Sequence, residues 1–225
     1  MEGAGAAGAP PSRALVALLR AVHLLDRLRL RARLRFLPGV EIHPSASPHL
    51  ALARYRVAPG ARLRIGAGVA TERRAGAITF LLEPGAEVTI GEGTWLRTEL
   101  GPVVLVAFAG ARLEIGSGAF LNGCHLSAKS SVRLGCRAFV GPGARVFDSD
   151  QHDFDADRPE QSAPVEIGDH TWIASDVTVL RGVRIGDHSV VGTRSVVTRS
   201  IPDHTLAFGT PAEPRGTVGD RSQAR

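Results

Sequence analysis

Residues 167–197 read IGDHTWIASDVTVLRGVRIGDHSVVGTRSVV and repeat with a period of six. A branched aliphatic residue occupies every sixth position: Ile167, Ile173, Val179, Ile185, Val191 and Val197. An α-helix would repeat every 3.6 residues and an ordinary strand would alternate, so neither explains a strict period of six. A short strand followed by a tight corner does explain it. Three such hexads close a triangular turn of about 18 residues, and successive turns stack with parallel strands about 4.8 Å apart.

A second repeated phrase carries the same frame across most of the chain. It has Leu or Val third, Ile or Leu fifth and Gly last, and its fifth residues are Ile65, Ile90, Ile115, Leu134, Ile167 and Ile185. These residues are 25, 25, 19, 33 and 18 positions apart, so each step is one full turn of three hexads plus an excess. The largest excess falls between Leu134 and Ile167 and indicates an excursion from the turns at residues 148–164.

These repeats predict an all-β fold, a left-handed parallel β-helix over residues 38–212, with a short N-terminal helical segment. The aliphatic residues fill the interior of the prism, and the small residue after each of them fits the corner. The alternative is a β-sandwich with frequent hairpins, but its strands would not keep a strict period of six. Aromatic residues make up only 5% of the chain, so the predicted core is aliphatic.

The chain ends outside the repeats have their own composition. Residues 1–11 are rich in Gly, Ala and Pro and lack the pattern of a signal peptide, so we expect a disordered tail there. Residues 12–37 have leucines at helical spacing and Ser12 as a possible N-cap. From Arg29 to Phe36 arginine alternates with apolar residues, so this helix could give way to a strand. Residues 213–225 are expected to form a C-terminal tail.

The N-terminal segment is strongly basic, with seven arginines against one aspartate. Two interpretations stay open. The segment covers the open end of the β-helix, or it lies as an amphipathic helix on an anionic membrane.

Charge and cysteine content limit the partners and the compartment. The net charge is +5 and the sequence pI is about 10.4, which favours anionic partners such as phosphates or acidic lipid. Nucleic acid is disfavoured because basic stretches interleaved with aromatics are missing. Cys124 and Cys136 form neither a disulfide framework nor a metal-ligand spacing. We therefore expect a cytoplasmic protein, with peripheral contact at the inner membrane face if the N-terminal segment binds lipid.

The excursion contains the strongest candidate for catalysis. His152 lies in the acidic stretch Asp148–Asp157, on a loop carried by a rigid scaffold. Histidine is the side chain that works as a base near neutral pH, and the carboxylates of Asp150, Asp153 and Asp155 could orient it. The alternative is a solvated acidic loop with an incidental histidine. A calcium loop is disfavoured because the glycine and glutamate that it requires are missing.

Four phrases occur in the order that one family shows: Phe120-Leu-Asn122-Gly-Cys124, Asp150-Gln-His152, Ile167-Gly-Asp-His-Thr-Trp172-Ile-Ala174 and Gly209-Thr-Pro211-Ala212. Over residues 115–216 the chain resembles the hexapeptide-repeat acetyltransferases, in particular the branch of maltose and galactoside O-acetyltransferases and polysaccharide-modifying enzymes. The resemblance implies acetyl-CoA as the acyl donor and a sugar or glycan hydroxyl as the acceptor, with direct transfer.

The resemblance also assigns roles to individual residues. It implies that His152 is the general base and that Asn122 hydrogen-bonds the acceptor or the oxyanion. Asp150 and Asp153, beside His152 in the loop, are the candidate substrate contacts. The implied donor contacts are Trp172, Ala174, Ser175, Thr193, Thr198 and Arg199.

The family resemblance further implies a homotrimer with active sites between subunits, acting on a sugar-like molecule or a lipid-linked glycan. The apolar stretch Val103–Phe108 supports an interface, because such a patch is too apolar for a monomer surface.

Three rival functions remain open at this point. One is N-acetylation of an amino nucleotide-sugar, although many such enzymes carry a nucleotide-sugar domain that is not seen here. Another is a zinc carbonic-anhydrase-like β-helix: His170 and His188 are one full turn apart and should stack, but three convergent ligands are not apparent, and we expect no metal. The third is a scaffold without catalysis.

Overall fold

The computed structural model describes residues 12–224, so the tail expected at residues 1–11 lies outside the described residues. The described chain begins with an α-helix, α1 (Arg13–Leu34), and has one 3₁₀ helix at Pro48–Leu52. Its 22 strands are β1 (Val40–Ile42), β2 (Arg54–Val57), β3 (Arg62–Ile65), β4 (Ala70–Thr71), β5 (Ile78–Leu82), β6 (Glu87–Ile90), β7 (Trp95–Arg97), β8 (Val103–Ala107), β9 (Arg112–Ile115), β10 (Phe120–Asn122), β11 (His125–Ala128), β12 (Ser131–Leu134), β13 (Phe139–Val140), β14 (Arg145–Phe147), β15 (Val165–Ile167), β16 (Trp172–Ile173), β17 (Thr178–Val179), β18 (Arg184–Ile185), β19 (Val190–Val191), β20 (Val196–Val197), β21 (Thr205–Gly209) and β22 (Ala212–Thr217).

The strands form three sheets that wrap one continuous core. Their orders are β1-β3-β6-β9-β12-β15-β18, β2-β5-β8-β11-β14-β17-β20, and β4-β7-β10-β13-β16-β19-β21-β22. Every pair is parallel except β21 with β22. Each full turn of the chain adds one strand to each sheet, which makes the domain a left-handed parallel β-helix of triangular section.

The register confirms the frame that the repeats predict. In the first sheet Ile65 pairs with Ile90, Ile90 with Ile115, Ile115 with Leu134, Leu134 with Ile167, and Ile167 with Ile185. The unequal steps between these residues are therefore each one turn. The six aliphatic residues of the hexads, from Ile167 to Val197, are all at most 2% exposed.

Crowding at the corners explains why glycine follows the aliphatic residue. A Cβ atom built on Gly116 would lie 2.5 Å from the amide nitrogen of Cys136 on the next turn. Only a residue without a side chain permits this approach of the stacked turns.

The three outer faces differ because each strand alternates between inward and outward side chains. The charged face, on the first sheet, presents Glu41, Arg62, Arg64, Glu87, Arg112, Glu114, Arg133, Glu166 and Arg184. The apolar face, on the second sheet, presents the half-buried side chains of Leu81, Val104, Val106, Phe108, Phe147, Leu180 and Val196, together with the exposed arginines Arg54, Arg56 and Arg145. The aromatic face, on the third sheet, presents Trp95, Phe120, Phe139 and Trp172.

The prediction that Val103–Phe108 forms an apolar surface patch is correct for only half of its side chains. Val103, Leu105 and Ala107 are fully buried in the prism, because the strand alternates. Val104, Val106 and Phe108 are the residues of this stretch that lie on the apolar face.

Helix α1 packs against the first turn of the β-helix. The Ser12 hydroxyl accepts a hydrogen bond from the Leu15 amide at 3.2 Å and caps the helix. Asp26 is completely buried, and the Arg73 Nε donates to its carboxylate at 2.7 Å, which lowers the pKa of that carboxyl group. Leu30 is also buried, whereas most leucines of the helix stay exposed.

A strand over Arg29–Phe36 is the wrong alternative, because the helix continues to Leu34. Alternation of arginine and apolar residues fits a helix as well when the apolar residues four apart share a face. Leu30 and Leu34 do so and pack toward the core. Arg33, on the same side, donates to the carbonyl of Ala53 at 3.0 Å.

The C-terminal segment is more ordered than a tail beginning at residue 213. Strand β22 extends to Thr217 and pairs antiparallel with β21. Beyond it, the Arg221 amide donates to Nδ1 of His188 at 3.0 Å, so the chain returns to the prism. Within residues 12–224, no helix has the length and apolar content needed to cross a bilayer.

Because inward aliphatic residues are buried and outward residues are exposed, substitutions at two adjacent residues of β9 should change the free energy of unfolding by different amounts. Leu113→Ala removes a fully buried side chain and should lower the free energy of unfolding by about 2–5 kcal/mol. Glu114→Ala, on the exposed charged face, should change it by no more than about 0.5 kcal/mol. Urea denaturation at one protein concentration measures both, and equal losses would contradict the inward column.

Candidate active site

The loop 148–164 leaves the prism between β14 and β15 and is anchored at both ends. The completely buried Asp148 carboxylate accepts from the amides of Lys129 and Ser130, each at 2.7 Å. The Lys129 ammonium donates to Glu160 at 2.7 Å and to the Gln151 carbonyl at 3.1 Å. One lysine therefore joins the outgoing and returning arms of the loop.

Asp150 and Asp153, the predicted substrate contacts, are engaged within the protein. Arg181 Nε donates to the Asp150 carboxylate at 2.6 Å, and this guanidinium lowers the pKa of Asp150. The Asp153 carboxylate accepts from the Glu160 amide at 2.6 Å. Both carboxylates thus hold the loop in shape. Sequence reasoning missed Arg181, because it lies on the following turn, far from Asp150 along the chain.

His152 is exposed at the outer side of this anchored loop. Gln151 before it has a left-handed backbone (φ +71°), and its side-chain amide donates to the Ser149 hydroxyl at 2.6 Å. None of the hydrogen bonds found among residues 12–224 involves the His152 ring. The orientation expected from Asp150, Asp153 or Asp155 is therefore not present within one chain. Those carboxylates accept instead from Arg181, the Glu160 amide and Arg158.

A cleft of about 570 Å³ lies beside the base of the loop. It is lined by Phe147, Ser149, Asp150, Gln151, Thr178, Leu180, Arg181 and Thr198. The predicted donor contact Thr198 and the loop residue Asp150 thus meet here. The cleft lies where the apolar face meets the charged face.

Asn122 lies at a different edge of the prism. Its side chain is 4% exposed, and the amide oxygen Oδ1 has no hydrogen-bond partner in the described chain. A buried carbonyl oxygen without a donor is costly, which is typical of a site that a ligand completes. Asn122 ends β10, at the corner that leads from the aromatic face to the apolar face.

Two neighbours of Asn122, Cys124 and His125, bear on the chemistry of this edge. Cys124 is buried, and burial raises the pKa of its thiol to about 12, so it is not a thiolate nucleophile near neutral pH. His125 was not singled out in the sequence. Its Nε2 is buried without a partner, and burial lowers its pKa.

The predicted site residues divide between the two edges that border the apolar face. The first edge, between the aromatic and apolar faces, carries Asn122, Ala174, Ser175 and Thr193. The second edge, between the apolar and charged faces, carries Asp150, His152, Asp153, Thr198 and Arg199. Trp172 lies on the aromatic face. The whole width of the apolar sheet separates the two groups, so one chain does not bring them together.

The stacking expected for His170 and His188 is confirmed, with ring centroids 4.9 Å apart. His204 continues the stack at 4.8 Å and was missed, because it follows His188 at a shorter interval than the regular turn. In the part of the chain that the structure describes, no three His, Cys, Asp or Glu side chains converge as metal ligands.

Comparison with known proteins connects this architecture to transferases. Residues 164–199 match the family model of the bacterial transferase hexapeptide, six repeats. A Staphylococcus aureus relative is 50% identical over 54 residues, which are 24% of this chain and 27% of that protein. The galactoside O-acetyltransferase of Lactococcus lactis is 35% identical over 95 residues, 40% of this chain and 45% of that protein. The matched segments thus span less than half of these relatives.

The fold is shared over a longer range. The crystal structure of NeuO, a polySia-specific acetyltransferase, superposes with a TM-score of 0.57 at 21% identity. The superposition covers 77% of this chain and 79% of NeuO.

Proposed function

We propose that this chain is a hexapeptide-repeat transferase and, within that family, an acetyl-CoA-dependent O-acetyltransferase of a sugar or glycan hydroxyl. The observation that carries the proposal is the exposed His152 on a loop pinned by Asp148, Lys129 and Arg181. A base that must meet a second molecule needs an accessible ring on a fixed support. The galactoside O-acetyltransferase relative favours a hydroxyl acceptor.

The chemistry is direct transfer. His152 removes the proton from the acceptor hydroxyl as its oxygen attacks the thioester carbonyl. The oxyanion that forms is stabilised by hydrogen-bond donors, and the Asn122 amide nitrogen is a candidate for one of them. The coenzyme A thiolate then leaves and takes the proton from the imidazolium. A covalent route through Cys124 is disfavoured, because that thiol is buried and protonated.

In a trimer, the two groups of site residues that lie at separate edges of one chain would come together between neighbouring chains. Three-fold symmetry brings the first edge of one chain against the second edge of its neighbour, with the apolar faces turned toward the axis. The half-buried Val104, Val106 and Phe147 then leave water. In this arrangement Ala174, Ser175 and Thr193 contact the donor from one side. Thr198 and Arg199 contact it from the other, Arg199 as a cation for a phosphate. Trp172 closes the donor site from the aromatic face.

Helix α1 is proposed to rest on an anionic membrane at the inner face. It buries Asp26 against the prism, while Leu24 is 58% and Leu28 52% exposed on the opposite side. Arg13 and Arg31 are exposed on the same helix. Three parallel prisms would present three such helices in one direction, which suits a flat lipid surface.

The first test replaces the proposed base. His152→Ala should lower turnover by about 10² to 10⁴, while acetyl-CoA binding by calorimetry persists. Asn122→Ala should lower turnover by about 10 to 10³, as for one oxyanion or acceptor hydrogen bond. His43→Ala, an exposed histidine of the first turn, is the matched control and should leave turnover unchanged. Each protein is assayed with a hydroxyl acceptor and, in a separate assay, with an amine acceptor. Turnover of His152→Ala near the wild-type value would exclude the mechanism.

The second test asks whether two chains share one site. Chains with His152→Ala are mixed with chains carrying Thr193→Trp, and subunits are exchanged. Random trimers should recover about one quarter of the wild-type activity, because that share of interfaces keeps both halves. Mixing His152→Ala with Thr198→Trp should recover none, since both changes fall on the second edge. Equal recovery in the two mixtures, or full activity of a monomer, argues against shared sites.

The third test concerns the exposed leucines of α1. The full chain should bind vesicles of phosphatidylcholine with phosphatidylserine, fail to bind phosphatidylcholine alone, and dissociate as salt rises. Leu24→Gln with Leu28→Gln should weaken this binding in co-sedimentation. Leu100→Gln, equally exposed at a distant corner, should not. If the full chain ignores the acidic vesicles even at low salt, the helix serves only to cover the end of the prism.

A further inference from the structure

We propose that the C-terminal strap, residues 218–222, is part of the donor site, and that its Arg221 positions the indole of Trp172 for acetyl-CoA. The inference rests on the proposed function, in which Trp172 contacts the donor. It makes Arg221 a positioning residue, because the guanidinium acts on the donor through Trp172 and not by touching it.

The strap lies along a column of three stacked imidazole rings. His170, His188 and His204 occupy the same corner on successive turns, each with a left-handed backbone (φ +54°, +56° and +54°). The centroids of neighbouring rings are 4.9 and 4.8 Å apart, and their planes differ by 7° and 4°. This histidine corner joins the charged face to the aromatic face. Its parallel rings present a regular line of nitrogen atoms along the prism.

The backbone of the strap is hydrogen-bonded to this column. The Val218 amide donates to the His204 carbonyl at 2.7 Å, and Nδ1 of His204 lies 3.2 Å from the Val218 carbonyl oxygen. One turn lower, the Arg221 amide donates to Nδ1 of His188 at 3.0 Å. The backbone is therefore fixed at the residue from which the Arg221 side chain extends.

The side chain of Arg221 is held as well. Its Nε donates to the His170 carbonyl at 3.1 Å, and its guanidinium carbon lies 5.6 Å from the centre of the Trp172 ring. A guanidinium group is planar, and the π electrons of an indole attract its charge. Because backbone and side chain are both anchored, the guanidinium is in place against the indole before any ligand binds.

The sheet alone supports the indole of Trp172 incompletely. On the turn below, Phe139 meets it edge to face, with ring centroids 6.2 Å apart. On the turn above, Trp172 pairs with Val190, whose side chain is far smaller than an indole. Trp172 remains 41% exposed. Arg221 therefore adds a contact that restricts rotation of the indole about its side-chain torsions.

The direction of this contact suits a donor site. His170, Trp172 and Ala174 follow one another across the third sheet, from the histidine corner to the first edge. Because Arg221 is anchored at the His170 carbonyl, its guanidinium meets the indole from the corner side. The side toward Ala174, a proposed donor contact, stays free. Loss of Arg221 should therefore weaken donor binding and leave the chemical step, which depends on His152, unchanged.

Acetyl-CoA binding is measured by calorimetry without an acceptor. Arg221→Ala should raise the Kd for acetyl-CoA about 2- to 5-fold, the usual effect of an exposed cation–π contact. The kcat at saturating acetyl-CoA should stay at the wild-type value. Arg221→Lys should recover only part of the affinity, because an ammonium keeps the charge and loses the planar contact. Arg137→Ala, which removes an exposed arginine at the same corner one turn below His170, should leave the Kd unchanged.

A double-mutant cycle tests whether Arg221 acts through Trp172. In Trp172→Ala chains, Arg221→Ala should have no further effect on the Kd. Additive effects would mean that Arg221 contacts the donor itself, which overturns the positioning role. Thermal denaturation of Arg221→Ala is measured in parallel, and a lower Tm with an unchanged Kd would show that the strap only closes the prism. Wild-type protein that fails to bind acetyl-CoA overturns the proposed function and this inference together. Wild-type binding that Arg221→Ala leaves unchanged overturns this inference alone.

Discussion

The packing of one aliphatic column inside a triangular prism is the constraint on which the rest of the structure depends. Ile65, Ile115 and Ile185 belong to a single line of side chains that touch across successive turns. In the regular turns an inward aliphatic residue recurs every six positions, so the turn has a fixed length and surplus residues must leave at a corner. The loop 148–164 is the largest surplus, and its two ends continue β14 and β15, which are paired in the sheets.

Alternation along each short strand gives every inward residue an outward neighbour, and the three faces use these neighbours differently. Arginine and glutamate on the charged face keep one side hydrated. The aliphatic side chains of the apolar face are suited to contact between subunits. The aromatic side chains of the third face pack on one another along the prism. The residues proposed for catalysis sit at the edges between faces, where the chain turns and its backbone is least regular.

The period of six was sufficient to predict the strands, their register and the position of the loop, because these follow from residues that repeat locally. Partners from other turns could not be predicted. Arg181 of the following turn binds Asp150, and no local pattern in the sequence indicates this pair. The alternation from Arg29 to Phe36 fitted both strand and helix, and packing of Leu30 decided for helix. The resemblance implied active sites between subunits, and only the folded chain shows that Asn122 and His152 lie at different edges of the prism.

The most direct measurement concerns distances between those two edges. One spin label is placed on the loop by Ala156→Cys and another at the first edge by Arg194→Cys, in a Cys136→Ser background that leaves only the buried Cys124. Pulsed electron spin resonance then compares both labels on one chain, diluted with unlabelled chains, with the same labels on separate chains of mixed trimers. A site shared between subunits requires a shorter distance between chains than within one. A shorter distance within one chain, or no distance between chains, would contradict it.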